Sequence, residues 1–122
     1  MRLIRMIAVI AILGSFLAVP QLTNASSAFT AYVACGYRVS RPPATTCPKS
    51  GRIGAFFKSN NADVNFRTCV TFPNGQSLCT KKSPADKGQF YVNKLTVGST
   101  GTLRVKWRSG GVVVASYSIT VT

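Results

Sequence analysis

Cys69 and Cys79 bracket the segment Val70-Thr71-Phe72-Pro73-Asn74-Gly75-Gln76-Ser77-Leu78, whose centre reads as a tight turn. Proline presets the backbone at the second position of a type I turn, and glycine supplies the left-handed residue of a three-residue hairpin loop. With Pro73, Asn74 and Gly75 as that loop, Phe72 faces Gln76, Thr71 faces Ser77, Val70 faces Leu78 and Cys69 faces Cys79. If Phe72 and Gln76 form a hydrogen-bonded pair, alternation makes the cysteines a non-hydrogen-bonded pair. The Cα atoms of such pairs lie about 4.5 Å apart, within disulfide range. A hairpin locked in this way fixes two antiparallel strands and their register.

Cys35 and Cys47 then pair by default and staple the loop 39–51, which contains Pro42-Pro43. A bridge closing a loop of this size typically contributes ~3 kcal/mol, a large share of the stability of a small domain. There is no Cys-x-x-Cys, no histidine and no zinc spacing, so the thiols read as structural and no metal or other cofactor is expected. A disulfide framework belongs to an oxidising compartment. The N-terminus agrees: Arg2 and Arg5 precede an apolar run over 6–19, then Pro20 and the small-x-small triplet Thr23-Asn24-Ala25. This is the pattern of a secretory signal peptide over 1–25, leaving a secreted, extracellular domain over 26–122. The apolar run is short for a bilayer span, which takes about 20 residues, and no later stretch is longer. The mature chain is therefore expected to have no transmembrane span.

Turn signals recur along the rest of the chain, with little helical periodicity between them. Strands are expected over 29–38, 52–58, 64–72, 76–81, 90–95, 103–108 and 112–121. In 64–72, Val64, Phe66, Val70 and Phe72 share one face, and Asn65, Arg67, Cys69 and Thr71 the other. In the last hairpin Leu103, Val105 and Trp107 alternate with Arg104, Lys106 and Arg108. A three-residue loop, Ser109-Gly110-Gly111, would set Trp107 against Val113, Val105 against Ala115 and Leu103 against Tyr117. Trp107, Tyr117, Phe66, Phe72 and Phe90 fall on the expected inner faces, whereas Tyr32, Tyr37 and Tyr91 are candidates for exposed rings. About seven antiparallel strands with regular turns argue for an all-β sandwich or small barrel.

The segment Gly101-Thr102-Leu103-Arg104-Val105-Lys106-Trp107, followed by Gly110-Gly111 and Val114-Ala115-Ser116-Tyr117, resembles the closing hairpin of small secreted bacterial immunoglobulin-like or fibronectin-like modules. The likeness implies an immunoglobulin-like β-sandwich, usually an accessory or binding module, and carries no functional residues across. It lacks the long-spaced cysteine pair of true immunoglobulin domains.

Charge narrows the functional classes. The chain has 15 Lys+Arg, 2 Asp+Glu and no histidine. Serine–histidine and cysteine–histidine nucleophiles and histidine–metal sites are excluded. Asp63 and Asp86 offer little to acid–base catalysis, and there is no Ser-x-x-Lys or Gly-x-Ser-x-Gly motif. The reading is a non-enzymatic domain. Arg104, Lys106 and Arg108 project from one strand face at intervals of about 7 Å, and Lys81, Lys82, Arg67 and Lys94 are expected as peripheral contributors. Lysine and arginine also protect sheet edges from aggregation, but such surfaces usually mix both signs. The expectation is a basic binding module for an anionic polymer or anionic cell-surface component: an envelope polymer, acidic glycan, anionic lipid or nucleic acid. The alternative is a protein partner, including a secreted enzyme inhibited by the stapled loop 39–51.

Overall fold

A computed structural model of the chain describes residues 28–49 and 51–122; the expected signal segment 1–25 lies outside the described residues. Nine strands run in order: β1 (Phe29–Ala34), β2 (Thr46–Cys47), β3 (Arg52–Ser59), β4 (Val64–Thr71), β5 (Ser77–Cys79), β6 (Ser83–Ala85), β7 (Phe90–Thr96), β8 (Gly101–Ser109) and β9 (Val112–Val121). They form two sheets, β1-β3-β7 and β2-β9-β8-β4-β5, with β6 added beside the start of β4. Among the described residues no helix is long and apolar enough to cross a membrane.

The two sheets pack through alternate residues, because successive side chains on a strand point to opposite faces. Ile53, Ala55 and Phe57 of β3 meet Phe66 and Val70 of β4, Leu103, Val105 and Trp107 of β8, and Ala115, Tyr117 and Ile119 of β9. The Phe57 and Phe66 rings stack across the sandwich at 4.4 Å between centroids. A polar pair joins the two sheets in this interior. Thr68, fully buried on β4, donates its hydroxyl to Asn93 Oδ1 of β7 at 2.6 Å.

The first hairpin has the expected register, with Cys69, Val70 and Thr71 opposite Cys79, Leu78 and Ser77. Phe72 N donates to Gln76 O at 2.8 Å, closing the Pro73-Asn74-Gly75 loop. Both expected disulfides form: Cys69–Cys79, read from the hairpin turn, with Cα atoms 4.0 Å apart, and Cys35–Cys47, paired by default, at 5.5 Å.

Four details differ from the sequence reading. The described residues form nine strands rather than seven, because β2 and β6 are short pairings within segments read as loops. β2 runs parallel to β9, so the sheets are not wholly antiparallel. In the last hairpin Trp107 faces Ala115, Val105 faces Tyr117 and Leu103 faces Ile119, two residues from the expected register. The cause is local. Gly110 and Gly111 both adopt positive φ and make a two-residue turn, and a bulge follows where the register shifts between Trp107 and Arg108. Finally, β7 presents the other face. Tyr91 and Leu95 pack against the core, while Phe90 stays out of it and meets the edge of the Tyr32 ring. Asn93 shares the inward face of Tyr91 and Leu95 because Thr68 satisfies it there.

Candidate binding surfaces

The outer face of β8 carries Arg104, Lys106 and Arg108, all exposed, while Leu103, Val105 and Trp107 on the inner face are fully buried. The neighbouring strands determine what surrounds this row. On β4, Arg67 lies directly opposite Arg108, Cys69 opposite Lys106 and Thr71 opposite Arg104. On β9, Ser116 faces Lys106 and Ser118 faces Arg104. Arg108 is opposite Val113, not Val112, and Lys106 and Arg104 are not opposite Val114 and Ser116 as the expected register had them. The row thus stands among short hydroxyl side chains and the Cys69–Cys79 bridge, with Arg67 as its fourth cation.

At one end of the row, Asn65, Arg67, Lys82, Arg108 and the Gly110–Gly111 turn line a cleft of about 240 Å³. Arg108 Nη2 donates to Gly111 O at 3.2 Å, which anchors its guanidinium at the rim. Lys82 joins this group, with Lys81 exposed beside it in the chain. Lys94 does not join. It belongs to β7 in the other sheet, paired across from Gly54, with its ammonium 5.3 Å from the centre of the Tyr37 ring. Neither Asp63 nor Asp86 belongs to β4, β8 or β9. Asp63 Oδ1 accepts from Lys87 N in the loops that follow β3 and β6.

The rings expected to be exposed are half-buried. Tyr32 stacks on Phe56 at 4.9 Å, and Tyr91 packs against the core while its hydroxyl accepts from Asp86 N. Burial raises the hydroxyl pKa of both Tyr32 and Tyr117 above the usual 10.0. The Tyr117 hydroxyl donates to Ala44 O at 3.0 Å, tying β9 to the stapled loop.

A second cationic surface escaped the sequence reading. Tyr37, Arg38, Ser40, Arg41 and Arg52 line a cleft of about 750 Å³ beside the Cys35–Cys47 bridge. The available signal was the set of three arginines, Arg38 and Arg52 flanking the stapled loop and Arg41 within it, which strand periodicity does not weigh.

No protein-family model matches the chain, and no curated protein matches it. Among solved structures, it is similar to an immunoglobulin-like protein from Pseudomonas aeruginosa, with TM-score 0.53 and 13% identity over 85% of this chain and 100% of that one. The fold is immunoglobulin-like. A second structure, Pseudomonas fluorescens alkylpurine DNA glycosylase AlkC bound to DNA containing an abasic site analog, aligns with TM-score 0.48 and 12% identity. That alignment covers 75% of this chain, which spans only 29% of the glycosylase chain. At 13% identity the likeness to the Pseudomonas aeruginosa protein concerns the fold alone, and nothing about activity follows from either alignment.

Proposed function

We propose that this immunoglobulin-like chain is a secreted, non-catalytic module that binds an anionic polymer or anionic surface through the outer face of β8 and β4. The observation that carries this reading is the direct cross-strand pairing of Arg67 with Arg108. Like charges facing each other on a sheet destabilise it. Here they sit beside Lys106, Arg104 and Lys82, and the strand positions facing the row offer serine, threonine, cystine and valine, but no carboxylate. An extended anion relieves the mutual repulsion by contacting several members at once. Export rests on the two disulfides together with the N-terminal signal pattern.

The test compares two triple variants on an immobilised polyanion such as heparin. One replaces Arg104, Lys106 and Arg108 by Gln; the other replaces Lys49, Lys58 and Lys87, none of which belongs to β4 or β8. Both lose three charges, so only a localised site separates them. The first should elute at clearly lower salt than the second. Equal elution refutes the site. A protein partner engaging the loop 39–51 remains the second reading, favoured by the tethers from Tyr117 to Ala44 O and from Arg41 to Cys35 O. Such a complex would persist in salt that releases a polyanion.

A further inference from the structure

The second cationic surface lies on the other side of the sandwich and is organised differently from the row on β8. The chain leaves β1 at Ala34, enters the Cys35–Cys47 bridge, and crosses the outer face of the three-stranded sheet. Gly54 on β3 permits this crossing, since a Cβ there would collide with the Gly36 carbonyl and with the Phe56 ring. The crossing places Tyr37 against that sheet, with the Arg52 guanidinium 5.8 Å and the Lys94 ammonium 5.3 Å from its ring centre. Two strands thus each offer a cation to one aromatic ring.

Arg41 is held more firmly. Its Nε donates to the Cys35 carbonyl at 2.9 Å, and its backbone N donates to Arg38 O at 2.9 Å, closing a turn. Gly36 has φ +143°, and a Cβ there would lie 2.7 Å from Arg41 Nε. A glycine is therefore needed where the guanidinium passes. Spending Nε on the carbonyl leaves the two terminal nitrogens of Arg41, with their N–H donors, available to a ligand. The disulfide and the Ala44 N to Val33 O bond at 2.9 Å secure the loop on either side.

Arg38, Arg41 and Arg52 converge on the cleft of about 750 Å³, and no carboxylate lines it. Three guanidinium groups brought together without a counter-charge repel one another, and here two are fixed, one by a carbonyl and one over a ring. A bound anion reverses the sign of that electrostatic term. A single carboxylate offers two oxygens and one charge, enough for one guanidinium fork. A phosphate monoester offers three terminal oxygens and nearly two charges, which suits several forks at once. The cleft also has room for the group that carries the phosphate, since pockets of this volume accommodate small organic ligands.

We infer that the cleft formed by Arg38, Arg41 and Arg52 beside the Cys35–Cys47 bridge is a binding site for a phosphate monoester carried on a small polar group. The site is independent of the row on β8: the residues are different, and so is the sheet.

The test is a titration of the full chain, both disulfides intact, with inorganic phosphate and with glycerol 3-phosphate, followed by nuclear magnetic resonance of the arginine Nε–H groups and backbone amides. The expected result is saturable movement of the Arg38, Arg41 and Arg52 signals together with the Gly36 and Gly51 amides. Arg52→Gln and Arg38→Gln should each weaken binding roughly tenfold, the size of one lost charge-assisted contact. Neither removes the Arg41 tether to Cys35, and unchanged amide dispersion establishes that each is folded. The triple variant of Arg104, Lys106 and Arg108 should bind phosphate as the parent does. Loss of binding in that variant, with none in Arg38→Gln or Arg52→Gln, places the anion on β8 and overturns the assignment. Movement spread evenly over all arginines without saturation also overturns it, as does acetate binding as tightly as phosphate.

Discussion

Replacing Arg67 by Gln should make the protein more stable, contrary to the usual effect of removing a side chain from a folded protein. Arg67 stands directly opposite Arg108 in the β4–β8 ladder, and both are exposed. Directly opposed side chains on adjacent strands have Cβ atoms about 5 Å apart. With the flexible stems splayed, a charge separation of roughly 7 Å in water gives about 0.6 kcal/mol of repulsion. Lys82 and Lys106 add to it, while the lost aliphatic packing of Arg67 subtracts. A net gain of ~0.5 kcal/mol at low salt is expected. With a urea slope of about 1 kcal/mol/M for a domain of this size, the midpoint should rise by roughly 0.5 M. Salt separates this effect from any change in packing. The Debye length falls from about 30 Å at 0.01 M to about 3 Å at 1 M, so the gain should vanish at 1 M. Saturating heparin should reverse the order, because the parent chain binds it with one more cation. The assay is urea unfolding followed by Trp107 fluorescence at both salt concentrations, with and without heparin. A variant less stable than the parent at low salt, or a gain that survives 1 M salt, refutes the reasoning.

Three further outcomes follow from the geometry. Thr68→Val keeps the volume but leaves the Asn93 carbonyl oxygen without its donor between the sheets, and should cost about 1–3 kcal/mol in urea unfolding. Tyr117→Phe should cost roughly 1 kcal/mol near pH 8 through the lost bond to Ala44 O. Because burial raises the folded-state pKa of Tyr117 above 10.0, its contribution is fully present below pH 10 and fades as pH climbs through that raised value. The gap between parent and variant should therefore narrow in strongly alkaline urea titrations. Removing the Cys35–Cys47 bridge by a double serine substitution should cost ~3 kcal/mol and increase amide exchange at Gly36 and Ala44, while the β8–β9 ladder stays protected.

The hairpin between Cys69 and Cys79 was legible residue by residue because Pro73, Asn74 and Gly75 allow few conformations and the cross-link ratifies one register. The basic row was legible for a related reason: Arg104, Lys106 and Arg108 alternate with buried apolar residues, so a strand of period two decides their side. β7 misled because Phe90 and Val92 look more suited to a core than Tyr91 and Asn93. The outer face of that sheet is itself partly covered, with Phe56 wholly buried under Tyr32 and the crossing loop, so apolarity does not distinguish its two sides. Lys94 was misplaced as a result of sheet order, which joins β7 to β3 and not to β8. The arginine cleft was invisible for the same reason. Arg38, Arg41 and Arg52 meet through a loop crossing whose path depends on contacts with Gly54, and no local pattern encodes it.

The bulge beside Val113 and Val114 has a consequence for how homologous chains can vary in length. Two residues of β9 occupy the space opposite one residue of β8 there, so excising one of them would restore a regular ladder and leave Trp107 opposite Ala115. The same single deletion within 115–121 would swing the residues beyond it outward, carrying Tyr117 or Ile119 into water. Insertions and deletions of one residue should therefore collect at 113–114 and be purged from the rest of the strand.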